Sequence, residues 1–294
     1  MKLVFIRKIV SKLKDIYVYL YLIINKRILF TDKYGLSYYL YKNTRPIDAF
    51  RKGVRTDDTT VLVTVNKLIE CNLQLKNVNC IDVGAFIGVV TLMMANALNK
   101  SNNNWKIHSF EPFKKTFIRL KDNIDITYQN KNIELNNIGL SDKSGIQKML
   151  INKDAPGSNQ LISSSSGSRE DIDEVKIITL DEYLNQRSIE HILLCKIDAE
   201  GVDDLVLKGM KSYIERGVVD YFILEYEDEL SQQKISKILK MYKYKVYFMV
   251  RNKNYLVESI EDYPKNEQSL INILAVSPFA DMKPVNKLLK SWQK

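Results

Sequence analysis

Residues 80–88 read Cys-Ile-Asp-Val-Gly-Ala-Phe-Ile-Gly and run straight into Val89-Val90-Thr91-Leu92-Met93-Met94-Ala95. Short apolar residues ending at an acid and two glycines, followed by helix formers, spell a buried strand, a tight turn and a helix start. Gly84 and Gly88 carry no Cβ, so a ligand can approach the backbone there. The helix beyond offers free N–H groups and a partial positive charge. Nucleotide-like cofactors bind at such turns.

The rest of the chain repeats the alternation. Candidate strands cover 78–83, 105–111, 131–137, 191–198, 219–227, 243–250 and 270–276. Candidate helices cover 88–99, 113–126, 179–187, 202–214 and 229–241, with an earlier one from caps at Asp57 and Asp58 to about residue 72. Thr179-Leu180-Asp181-Glu182 has capping-box spacing. Such alternation predicts an α/β fold, a mainly parallel sheet with helices on both faces. Residues 31–56 read as irregular to short-stranded and rich in tyrosine. Residues 152–170, with Pro156-Gly157 and the serine run Ser163–Ser168, read as a mobile insertion, either a cover for a substrate pocket or a plain loop.

Charge is unevenly placed. Residues 1–30 hold seven basic side chains against Asp15 alone, so most of the net +9 falls there. A nucleic-acid enzyme more often spreads basic surface around its cleft, so no nucleic-acid partner is expected. Residues 3–24 have helical periodicity, with Leu3, Ile6, Val10, Leu13, Tyr17, Leu20 and Ile24 on one face and basic residues opposite. The apolar part, 16–24, is too short for a bilayer, which takes about 20 residues, and no small-residue cleavage site follows. A basic amphipathic helix suits peripheral contact of residues 1–26 with anionic lipid, at the inner membrane surface of an otherwise cytoplasmic protein. Packing on its own domain or on a second subunit stays open. Cys71, Cys80 and Cys195 show no paired spacing, and His108 and His191 lie in no metal-ligand pattern.

The chemistry gathers at strand ends. Glu111 closes the second strand at a distance from Gly84 that suits an acid accepting both ribose hydroxyls, and Pro112 suits the exit into the next helix. Dinucleotide sites favour G-x-G-x-x-G. Here Asp82-x-Gly84-x-x-x-Gly88 lacks the middle glycine, and an acid before the first glycine would repel a pyrophosphate. Asp82 could instead hold the ammonium of a methionine-like group, which favours S-adenosylmethionine. Asn137 could edge the adenine and Ile138 pack on its face. The fourth strand ends Lys196-Ile197-Asp198-Ala199-Glu200-Gly201. Asp198 could orient or deprotonate a substrate hydroxyl. Alternatively Asp198 and Glu200, with Glu225, could hold a hard cation such as Mg²⁺, or Lys196 could simply pair with an acid.

Taken together, these motifs resemble the FkbM methyltransferases. The resemblance rests on Asp82-Val83-Gly84-Ala85-Phe86-Ile87-Gly88, Phe110-Glu111-Pro112, Gly139-Leu140-Ser141-Asp142, Thr179-Leu180-Asp181 and Lys196-Ile197-Asp198-Ala199-Glu200-Gly201. It continues through Leu207-Lys208-Gly209, Leu224-Glu225 and Ile273-Leu274-Ala275-Val276, covering roughly 75–277. It implies a Rossmann-like class I methyltransferase fold with a seven-stranded sheet whose last strand is antiparallel. It also implies S-adenosylmethionine as donor, with transfer usually to oxygen, and sugars, glycans and polyketide-like products as substrates. By motif position it makes Asp82, Gly84, Gly88 and Glu111 cofactor contacts, and Asp198 a candidate at the reacting end; Ala85, Phe86 and Pro112 are expected beside those contacts, and Glu200 beside Asp198 as a further catalytic candidate. Asp203 departs from the Glu that the family often has at that position.

The expected organisation is an N-terminal helix and extension over 1–56 and a methyltransferase domain over 57–294. The expected function is O-methylation of a sugar hydroxyl in a glycan or lipid-linked saccharide. The rivals are a nicotinamide-dependent oxidoreductase and a non-catalytic membrane-associated protein that keeps the fold.

Overall fold

A computed structural model describes residues 24, 27–32, 35–41, 59–101, 103–127, 131–150, 160–162, 172–225, 229–250, 256–258 and 270–290. The helix expected over 3–24 lies outside them, apart from Ile24, as do the Asp57 and Asp58 caps and the Ser163–Ser168 run.

In chain order the strands are β1 (Arg27–Thr31), β2 (Ser37–Tyr41), β3 (Val78–Val83), β4 (Trp105–Phe110), β5 (Ile133–Asn136), β6 (Gly139–Leu140) and β7 (Gly145–Leu150). They continue with β8 (Gln160–Ile162), β9 (Ile172–Ile178), β10 (Ile192–Ile197), β11 (Val219–Glu225), β12 (Lys245–Val250), β13 (Leu256–Val257) and β14 (Leu270–Val276). The helices are α1 (Thr59–Glu70), α2 (Val89–Leu98), α3 (Lys114–Thr127), α4 (Leu180–Gln186), α5 (Asp203–Lys208), α6 (Lys211–Glu215), α7 (Glu229–Met241) and α8 (Lys283–Lys290).

The main sheet runs β13-β12-β14-β11-β10-β3-β4-β5. Strands β5, β4, β3, β10 and β11 pair in parallel, and β14 runs antiparallel between β11 and β12. This is the expected seven-stranded sheet with one antiparallel member. The two-residue β13 adds an eighth strand at the edge.

Alternation along each central strand feeds two apolar cores. Cys80, Leu194, Ile223 and Leu274 face one core, with α1, α2, α8 and the β1–β2 hairpin. Ile81, Cys195, Phe222 and Ile273 face the other, with α4, α5, α6 and α7. Burial on both faces is why β10 reads as an unbroken apolar run interrupted only by Lys196. Cys80 and Cys195, one per core, are fully buried, and Cys71 is half-buried.

Two features differ from the expected layout. The helix expected over 202–214 breaks at Gly209 into α5 and α6. A Cβ on Gly209 would sit 2.0 Å from the Ser141 carbonyl oxygen, so close docking of the 139–142 segment fixes this bend. Asp181 then serves as the partner of the new helix start, accepting from the Ser212 N–H and hydroxyl at 3.1 and 2.7 Å. The second difference is an additional four-stranded sheet, β6-β9-β7-β8, in which β8 lies within the expected insertion and the other strands in stretches where no strand was expected. Its inner residues Met149, Val175 and Ile177 pack on Phe113, just beyond Glu111.

Candidate active site

The crevice lies where the strand order reverses. The chain leaves β3 towards β4 and β5, then returns to place β10 on the other flank of β3. The β3 and β10 exits touch directly. The Asp198 N–H donates to the Val83 carbonyl at 3.2 Å, and a Cβ on Gly84 would fall 1.8 Å from the Asp198 carbonyl oxygen. Gly84 also has φ +69°, so both space and backbone conformation require glycine.

From Gly84 the turn is fixed by backbone bonds. The Ala85 N–H donates to the Phe110 carbonyl at 2.9 Å, and the Gly88 N–H donates to the Ala85 carbonyl at 2.8 Å. Gly88, at φ +90°, hands the chain to α2. Between them Phe86 adopts φ +51°, a left-handed conformation that costs a non-glycine residue about 1–2 kcal/mol. That strain is held by Glu111. Its Oε2 accepts from the Phe86 N–H at 3.1 Å and its Oε1 from the Phe113 N–H at 3.0 Å.

Glu111 is buried, and its carboxyl is pushed up to about 8, chiefly by burial, with the two N–H bonds pulling the other way. Once ionised, a carboxylate has about four acceptor sites, so two would remain after these bonds. Asn137, from the β5 exit, donates its amide to the Glu111 and Pro112 carbonyls, both at 2.9 Å. Gly84, Ala85, Phe86, Gly88, Glu111, Pro112 and Asn137 therefore form one connected rim. Ile138 is half-buried against the second core.

Asp82 sits beneath this rim. It is fully buried, accepts from the Thr91 hydroxyl at 2.6 Å and lies 3.5 Å from the Lys196 ammonium. The ammonium it faces in this structure thus belongs to the protein's own lysine. Burial holds its carboxyl above the usual range, against the pull of Lys196 and Thr91.

On the β10 side, Lys196 is buried, with its Nζ 3.1 Å from Asp198 Oδ2. The same Nζ donates to the Val83 and Gly84 carbonyls at 3.3 and 3.1 Å. Burial would lower its pKa, but Asp198 and Asp82 reverse that and hold it charged. The Asp198 side chain is 38% exposed, so it is open to the crevice. Burial alone would raise its carboxyl, but Lys196 and a hydrogen bond with Glu225 hold it below the usual range. Glu225 is pushed up to about 9 by burial and by the Asp198 charge. The opposed shifts favour charge on Asp198 and the proton on Glu225.

Glu200, at φ +48°, contributes charge beside Glu225. Asp203 clamps this end, accepting from the Ala199 N–H at 2.7 Å and the Glu225 N–H at 3.3 Å. Among the described residues, no group of three or more His, Cys, Asp and Glu side chains is placed to hold a metal ion. The Mg²⁺ arrangement expected as an option on Asp198, Glu200 and Glu225 is therefore not formed. The cation beside Asp198 is the Lys196 ammonium.

Sequence reasoning underrated three residues. Thr91, the partner of Asp82, gave no signal inside an apolar helix start. Asp203 was visible only as a departure from the family pattern. Lys196 was marked by its place in an otherwise apolar strand, which a buried partner explains.

The sheet order, and the glycine turn bonded to Glu111 at the neighbouring strand end beside the switch point, define a class I, Rossmann-like methyltransferase fold. Comparison with known families places it further: residues 82–257 match the family described as the methyltransferase FkbM domain, and the chain belongs to that family. Among solved structures it is similar to the FkbM methyltransferase of Methylobacillus flagellatus KT, with 12% identity and TM-score 0.45 over 68% of this chain; the match spans only 43% of that protein's length. A SAM-dependent methyltransferase from Agrobacterium tumefaciens matches at 10% identity and TM-score 0.49 over 87% of this chain and 71% of that one. The precorrin-6y C5,15-methyltransferase of Geobacter metallireducens GS-15 matches at 13% identity and TM-score 0.43, over 76% and 90%. No curated protein matches the chain in sequence. No helix among the described residues is long and apolar enough to cross a membrane.

Proposed function

We propose that the protein is an S-adenosylmethionine-dependent O-methyltransferase acting on a sugar hydroxyl in a glycan or lipid-linked saccharide. The observation that carries it is Asp198: a carboxylate kept charged by Lys196, open to the crevice and beside the glycine turn. Family membership supports the donor. The residues present fit it, because Glu111, once ionised, has acceptor capacity for two ribose hydroxyls while its orientation is fixed by the Phe86 and Phe113 N–H groups. Gly84, Ala85, Phe86 and Gly88 would line the methionine side, with Pro112, Asn137 and Ile138 on the adenine side.

Bound there, the cofactor supplies a methyl group on a positive sulfonium, a good leaving group. The chain's own task is to place the acceptor oxygen in line and receive its proton. Asp198 would take that proton from the acceptor oxygen as the methyl group is transferred to it. Partial exposure of Asp198 lets the proton leave to solvent. The basic segment 1–26 would bring the enzyme to the anionic membrane surface where lipid-linked saccharides are assembled.

The test is a mass comparison of surface saccharides from a deletion strain and its parent, paired with transfer of labelled methyl by purified protein. A saccharide lighter by one methyl substitution is expected, restored by the wild-type gene and not by Asp198→Asn. Label that enters RNA or protein while saccharides stay unchanged would overturn the acceptor class.

A further inference from the structure

We propose that Lys196 is a positioning residue that locks the donor turn and the acceptor-side carboxylate to each other, so that the two half-sites form a single mechanical unit. This deepens the methyltransferase reading and rests on it. An ammonium has three N–H donors. Here the Val83 and Gly84 carbonyls accept hydrogen bonds at 3.3 and 3.1 Å, and Asp198 Oδ2 forms an ion pair at 3.1 Å. Two belong to the turn after β3 and one to the exit of β10. The allocation leaves a residue of evidence behind it: Asp82 Oδ1, 3.5 Å from the same nitrogen and fully buried, has no hydrogen-bond partner among the described residues. It keeps the longer ion pair with Lys196, while the hydrogen bonds go to the turn after β3 and the shorter ion pair to the exit of β10.

Reaching Asp198 has a consequence for chemistry, because the other titratable groups that act on that acid are acidic: Asp82 from β3 and Glu225 from β11, with Glu200 and Asp203 acting on Glu225 in turn. Lys196 is the cation that keeps Asp198 able to accept a proton in that company. The same atom pulls on the Gly84 carbonyl, so a donor seated on the turn is felt at Asp198 without touching it.

The test uses the full chain, S-adenosylhomocysteine as the donor-site probe, and the ¹³C-carboxyl resonance of Asp198, assigned by its loss in Asp198→Asn. In the wild type, adding the probe shifts that resonance. In Lys196→Met the shift disappears, probe affinity falls about tenfold, as expected for a lost buried charge-assisted hydrogen bond, and kcat falls about 100-fold, the size of a general-base contribution. Because this variant strands Asp82 as an unpaired buried acid, the same measurements are made on Lys196→Met/Asp82→Asn, which removes both charges, with the same results expected. A shift of equal size in wild type and in either folded variant overturns the coupling. Failure of the wild type to bind the probe overturns the donor-site reading itself, and the coupling with it.

Discussion

At the scale of single residues, the site is decided by atoms that leave no room for a neighbour. Gly35 and Gly84 both have positive φ, +78° and +69°, yet a Cβ meets nothing within 4 Å at Gly35 and meets the Asp198 carbonyl oxygen at 1.8 Å at Gly84. Gly35→Ala should cost only about 1 kcal/mol of conformational strain. Gly84→Ala should cost at least about 3 kcal/mol, because backbone must move. Urea unfolding of the pair checks this, and equal midpoints would refute the close approach. Glu111 supplies a second case. Glu111→Gln keeps an acceptor for one backbone N–H but turns a donor towards the other, so S-adenosylhomocysteine affinity should fall at least about tenfold. Calorimetry with undiminished affinity would remove Glu111 from the ribose role. Both residues were legible in the sequence, since a glycine at a strand end and an acid one strand later follow from elementary sterics and spacing. Thr91 and Asp203 were not, because their tasks are set by partners that only the folded chain brings near.

Among elements, the legible and the illegible divide by contact range. The seven strands of the main sheet and the helices between them declare themselves through apolar runs and caps. Thr179 does cap α4, accepting from the Glu182 N–H at 3.1 Å. The second sheet was harder. Val175 and Ile177 alternate with exposed residues in β9, a half-buried strand pattern, but β6 beside it and β8 on the far side of β7 are only two and three residues long, and only pairing gives them a reason to extend. The β1–β2 hairpin is likewise stabilised from outside itself. Asn123 on α3 accepts from the Tyr39 N–H at 2.7 Å and donates to the Ile87 carbonyl at 2.8 Å, so one side chain joins the hairpin to the donor turn. Asn123→Ala leaves buried backbone groups unpaired at a cost of about 1–3 kcal/mol. Hydrogen exchange should then quicken at Tyr39, and probe affinity should drop with it. Unchanged exchange would show that the hairpin holds without this link.

Over the whole molecule, the buried carboxyls set how stability follows pH. Glu111 and Glu225 are pushed up to about 8 and about 9. Each keeps its proton in the folded chain at a pH where the unfolded chain has released it. Their contribution is therefore complete below the ordinary glutamate range, near 4.5, and is lost as pH rises through 8 to 9. The melting temperature of the unliganded protein should decline across this window, and Glu225→Gln, neutral throughout, should flatten the decline. An identical slope in the variant would show that Glu225 is ionised at neutral pH.

The two cores, each holding one sealed thiol, carry a consequence for handling the protein. Burial pushes the Cys80 thiol up to about 12 and the Cys195 thiol well above its ordinary value, and neither side chain reaches solvent. The reactive thiolate is thus suppressed at both, while half-buried Cys71 is the accessible one. An alkylating reagent should label Cys71 first. Cys80 and Cys195 should react only through opening of the central strands, so the rate at which the second and third labels appear times the unfolding of each face of the sheet.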